Sequence, residues 1–118
     1  MEKLISWVEI PTNDFERAVS FYSKVLKTEL NVLDFGNEKM ACFPSGEGAI
    51  ICEPNYKPSA NGVIVSLQVA DDIDSTLGRV EANGGKVLRT KTRIEAEGRG
   101  YFALFTDSEG NRLGLYEN

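Results

Sequence analysis

Histidine is absent from all 118 residues. That removes the side chain most used as a general base near neutral pH and as a transition-metal ligand. Ser-His-Asp and Cys-His nucleophilic sites are excluded with it, as are zinc sets that include imidazole. Chemistry is left to carboxylates, amides, hydroxyls and cations. Glu9 is the most telling of these, because a carboxylate within the apolar run LISWVEI costs energy unless it is paired or wet. Partial burial would raise its pKa toward neutrality and make it the best candidate base; the alternatives are an edge-strand charge facing water or a partner for Arg112. Side chains alternate along a strand, so Trp7 shares the face of Glu9, Ser66 and Gln68 share one with Ile64, and Arg112 and Tyr116 share one with Gly114.

The elements that must position these residues follow from periodicity. Leu4–Ile10 predicts a strand ended by Pro11. Thr12 or Asn13 then caps a helix, with Glu16 completing a capping box if Asn13 is the cap. Phe15, Ala18, Val19, Tyr22, Val25 and Leu26 form one continuous helical stripe. Three strands follow, about 29–35, 38–43 and 49–53, with turns at Gly36-Asn37 and Ser45–Gly48. Glu53–Asn61, polar and holding two prolines, is a connection. The pattern then restarts with a strand at Val63–Val69. A helix follows, capped by Asp71 or Asp72 and ended by Gly84-Gly85, and then a strand at Lys86–Thr90. Lys91–Gly100 is a charged loop, either a mobile lid or a solvated turn. Tyr101–Asn118 closes the chain as a hairpin, in which Gly110 takes positive φ and Asp107 bonds its own backbone two residues on.

The order is βαβββ, linker, βαβββ. This predicts an α+β single domain over 1–118, with module one about 1–54, a linker at 55–61 and module two about 62–118. One half exposes an apolar sheet face that it cannot cover alone, and two halves can curl around a shared cleft. Composition is that of an ordinary globular domain, with 42% apolar and 26% charged residues. The charge of −5 disfavours nucleic acid and mildly favours a cationic ligand or simple solubility. No apolar run approaches a membrane span and the N-terminus is not a signal peptide, so a cytoplasmic protein is expected. Cys42 and Cys52, possible neighbours on paired strands, are expected to be reduced.

Three blocks carry a family resemblance. Glu9-Ile10-Pro11 with Asp14, Arg17-Ala18, Phe21-Tyr22 and Val25-Leu26 is the first. Val69–Asp74 with Arg79–Ala82 and Gly84–Val87 is the second, and Tyr101–Tyr116, with its Asp-x-x-Gly-Asn turn, is the third. In this order they resemble the vicinal oxygen chelate superfamily of glyoxalase I, bleomycin-resistance proteins, fosfomycin-resistance enzymes and extradiol dioxygenases. The resemblance implies paired βαβββ modules forming a cupped mixed sheet, often in a homodimer. It also implies a divalent metal held by one side chain from each of four cup strands. Carried over by register, those positions fall on Trp7, near Ile64, on Gly114 and near Ile50 to Cys52, which offer at best one thiol. If the family's inward face is kept, Trp7, Glu9, Ser66, Gln68, Arg112 and Tyr116 line the cup, and Gly114 opens space where the family places a carboxylate. Tyr101 and Tyr116 are expected as half-core aromatics with hydroxyls at the rim, within reach of a ligand.

The expected function is a small-molecule-binding protein without cofactor or metal. The alternative is a lyase or isomerase of the lactoylglutathione-lyase type, using Glu9 as base. A Mg²⁺ or Mn²⁺ ion held weakly by Glu9, Gln68 and water is the corresponding alternative for the cofactor. A third reading is a structural partner whose cup is filled by its own side chains. A packed Trp7 would cost roughly 3–5 kcal/mol to remove.

Overall fold

The computed structural model describes residues 4–118. Strand β1 (Val8–Pro11) leads into helix α1 (Phe15–Leu26), followed by β2 (Asn31–Asp34), β3 (Lys39–Cys42) and β4 (Gly48–Cys52). The second module repeats the order with β5 (Ser66–Gln68), α2 (Ile73–Ala82), β6 (Lys86–Arg93), β7 (Tyr101–Thr106) and β8 (Arg112–Glu117). Each module is one four-stranded mixed sheet, β1-β4-β3-β2 (sheet A) and β5-β8-β7-β6 (sheet B). The first strand pairs in parallel with the last, and the rest are antiparallel. The two βαβββ modules expected from periodicity are therefore present, as two separate sheets.

The helices are where the apolar stripes require them. Phe15, Ala18, Phe21, Tyr22 and Val25 are buried on α1, and Ile73, Leu77 and Val80 on α2. Both sets join one core with Ile10, Ala41 and Ile50 of sheet A and Ala103, Phe105, Leu113 and Leu115 of sheet B. Phe21 stacks on Phe105, with ring centroids 6.3 Å apart, so α1 packs against the second module as well as its own. Gly85 permits this approach, because a Cβ there would lie 2.9 Å from the Phe21 ring and 2.7 Å from the Thr106 carbonyl.

Local expectations needed four corrections. The cap of α1 is Asp14, whose side chain accepts the Arg17 amide at 3.1 Å, rather than Thr12 or Asn13. Strand β1 starts at Val8, and Leu4 to Trp7 stay outside it and exposed. Strand β6 continues to Arg93, so Lys91 belongs to a strand; residues 94–100 form a tight connection closed by Ile94 N–H to the Gly100 carbonyl at 2.9 Å. Cys42 and Cys52 are free and not neighbours, since Cys42 sits opposite Ala49 and Cys52 opposite Lys39. The final hairpin is as read: Gly110 has φ +91°, and Asp107 Oδ1 accepts the Glu109 amide at 2.8 Å.

Candidate functional site

Sheet B assembles most of the expected residues. Ser66 is in register with Gly114, and Gln68 with Tyr116. Leu113 and Leu115 point to the core, so alternation turns Arg112, Gly114 and Tyr116 to the opposite face, together with Ser66 and Gln68. Phe102, Leu104 and Thr106 of β7 pair with Tyr116, Gly114 and Arg112 and complete that face. Gln68 Nε2 donates to the Tyr116 carbonyl at 3.3 Å, and the Tyr116 hydroxyl accepts the Gly100 amide at 3.3 Å.

Two of the placements differ from expectation. Tyr101 is the half-core aromatic expected, but it is opposite Glu117 and under the Lys91 ammonium at 4.6 Å, so it does not join the face. Gly114 opens no space, because a Cβ on it would meet the Ser66 hydroxyl at 2.6 Å.

Trp7 and Glu9 lie on sheet A's side of the molecule and are joined to each other. Trp7 Nε1 donates to Glu9 Oε2 at 3.2 Å. Glu9 is exposed on an edge strand and is not the partly buried carboxylate expected of a base. It is not the partner of Arg112. Trp7 is 42% exposed and is not a packed core aromatic.

A cleft of about 560 Å³ lies between the leading edge of β1 and β5. Val8, Leu26, Phe43 and Val65 give it apolar walls, and Ser66 and Gln68 add polar groups. Trp7 and Glu9 are not on its wall, although their neighbours Ser6 and Val8 are. The cleft thus draws on both modules and on the near strand of the sheet B face.

The donor set does not fit a divalent metal. The register positions hold an indole (Trp7), an alkyl chain (Ile64) and no side chain (Gly114), with a single thiol at Cys52. Among the described residues, no three Cys, Asp or Glu side chains converge.

The largest omission from the sequence reading is a polar network that ties the modules together. Glu109, in the β7–β8 turn, accepts the amides of Asn13 and Asp14 and pairs with Arg17 Nε at 2.7 Å. Burial opposes its ionisation, but Arg17, the Asp14 and Asn13 amides and Ser108 outweigh that and lower its carboxyl to about 2. Beside it, Tyr22 donates to Asp107 Oδ2 at 2.6 Å; burial first, then the Asp107 charge, pushes the phenol well above its ordinary range. Asn111 Nδ2 donates to the Pro11 carbonyl at 2.8 Å. The Asp-x-x-Gly-Asn turn therefore grips the start of α1. Its only sequence signal was an acidic turn and an acidic helix start, and nothing local related the two.

Comparison with known proteins agrees with this architecture. The model of the Glyoxalase/Bleomycin resistance protein/Dioxygenase superfamily matches residues 4–115. No curated protein sequence gives a significant match. Among solved structures, a glyoxalase/bleomycin resistance protein from Albidiferax ferrireducens is 20% identical with a TM-score of 0.70, covering 98% of this chain and 100% of that one. The fosfomycin resistance protein FosX from Listeria monocytogenes is 17% identical, with a TM-score of 0.68 and coverage of 100% and 93%. Glyoxalase I from Zea mays is 20% identical with a TM-score of 0.69; the match covers 95% of this chain but 45% of the maize chain. At these identities the structures establish the fold, and the family model establishes membership. With paired βαβββ modules, a matching family model over nearly its whole length and the Asp-x-x-Gly-Asn turn in place, the chain belongs to the Glyoxalase/Bleomycin resistance protein/Dioxygenase superfamily.

Proposed function

We propose that this protein binds a small organic molecule and does so without the divalent metal implied by its family resemblance. The observation that carries this reading is the cleft between the modules, whose apolar walls and few convergent polar groups have the character of a small-molecule site. The metal positions support it, since they supply no set of ligands. The protein acts as a homodimer in the cytoplasm on this reading. Among the described residues no helix is long and apolar enough to cross a membrane.

Trp7 is the sole tryptophan and flanks two residues of the cleft wall, so its fluorescence reports on the site. A thermal-shift screen of small aromatic and aliphatic compounds, followed by Trp7 titration, is expected to yield saturable binders that raise the Tm. Calorimetric titration with Ni²⁺, Zn²⁺, Mn²⁺ and Mg²⁺ is expected to show no tight binding. Micromolar metal binding accompanied by hemithioacetal turnover would overturn the proposal in favour of a glyoxalase-like lyase with Glu9 as base.

A further inference from the structure

Among the described residues, the strands of sheet B place cations and no carboxylates on its outer face, in a chain where 18 acidic residues outnumber 13 basic ones. Register aligns Arg112, Thr106 and Lys86 in one row across β8, β7 and β6. Gly114, Leu104 and Arg89 form the next row, and Tyr116, Phe102 and Thr92 the third. The acidic residue of β8, Glu117, falls on the opposite side, where it holds Lys91 at 3.0 Å and accepts the Ile73 amide.

Among the described residues, the two arginines on this face form no ion pair with an acid. Arg112 Nε is buried and has no hydrogen-bond partner among the described residues. Arg89 lies over the Phe102 ring, 5.2 Å from its centroid, and its Nε donates to the Thr92 hydroxyl at 3.2 Å. Arg17 and Arg79, which fasten the helices, each hold a carboxylate. A guanidinium donor withdrawn from water and left unpaired is costly, and an oxyanion supplies the planar, two-pronged acceptor that it matches.

We infer that the sheet B face recognises the anionic group of a flat small molecule, a carboxylate, phosphate or phosphonate held by Arg112 and Arg89 beside the Phe102 and Tyr116 rings. This goes beyond the cleft, with which the face shares Ser66 and Gln68, and rests on the proposed small-molecule function. It reverses the preference for a cationic guest that the overall charge of −5 suggested, because a ligand responds to the face it touches more than to the distant total.

The test is an amide NMR titration at low salt with three ring-matched probes: phenylphosphonate, benzyl alcohol and benzylammonium. Phenylphosphonate is expected to shift the Ser66, Phe102, Leu104 and Gly114 amides saturably, and to bind about tenfold or more tightly than benzylammonium. The Arg89→Gln and Arg112→Gln variants are each expected to weaken it severalfold, with Arg112→Lys recovering part of the loss. Arg89 is exposed, so its variant remains informative even if the Arg112 variant fails to fold. Equal binding of all three probes on this face would overturn the anion assignment and leave the small-molecule function standing. Shifts confined to the Val8, Leu26 and Phe43 amides would do the same. Failure of every probe to bind anywhere would remove both.

Discussion

The carboxylate of Glu109 accepts the backbone amide of Asn13 at 2.8 Å, joining a hairpin turn of module two to the start of the helix of module one. A helix N-terminus leaves amides without partners and favours negative charge, and here the local Asp14 cap is joined by a carboxylate from the second module. Arg17, one turn into α1, closes the arrangement with two further bonds to the same carboxylate. Glu109→Gln is expected to destabilise the protein by about 1–3 kcal/mol, read from urea unfolding midpoints.

The same carboxylate gives the fold an acid limit. Its pKa is lowered from 4.5 to about 2, so the unfolded chain holds this proton more tightly than the folded one does. The stability it contributes is complete above the unfolded value and is lost as pH falls through the folded value. The gap between wild type and Glu109→Gln should therefore narrow across that window. A gap that stays constant to the bottom of it would count against this origin of acid sensitivity.

Tyr22 sets the corresponding alkaline behaviour. It is fully buried and donates to Asp107, with its phenol held well above 10. Stability from the protonated phenol is present below the ordinary tyrosine range and is lost as pH rises above it. Tyr22→Phe should cost about 1–3 kcal/mol, since Asp107 is left short of a donor. Ultraviolet titration should show one tyrosine that ionises only when the protein unfolds.

Gly114 and Ser66 form a matched pair on the sheet B face. Gly114→Ala places a methyl against the Ser66 hydroxyl, and an overpacking cost of about 1–3 kcal/mol is expected. Combining it with Ser66→Ala should return much of that loss. An additive double-mutant cycle would show that the two side chains do not meet.

Glu9→Gln should change stability by no more than about 0.5 kcal/mol, since the residue is exposed and its partner is the neighbouring indole. Trp7→Phe should likewise fall well short of the cost of losing a core aromatic. A large loss in either variant would indicate that this corner is more buried than the geometry shows.

Periodicity carried the fold because it is local information. The stripe from Phe15 to Val25 and the alternation of Leu113 and Leu115 both point residues to the core that the structure contains. Alternation also grouped Ser66 and Gln68 on one face, and Arg112, Gly114 and Tyr116 on one face, though strand register was needed to unite the two sets. Exposure was harder to read. Whether Glu9 is buried depends on what lies across an edge strand, and no spacing within LISWVEI reports that. The grip of Glu109 on Asn13 and the placing of Arg89 and Lys86 on the same sheet face as Arg112 depend on pairings between segments apart in sequence.

The link between Asn13 and Glu109 also imposes an order on folding. During synthesis α1 leaves the ribosome roughly 5–20 s before the turn that satisfies its first amides, at ordinary rates of about 5–20 residues per second. In that interval the apolar side of α1 has no second-module surface to meet, and Phe21 waits for Phe105. Until then α1 has only its local Asp14 cap, and the Glu109 carboxylate reaches the Asn13 and Asp14 amides only when the last hairpin arrives.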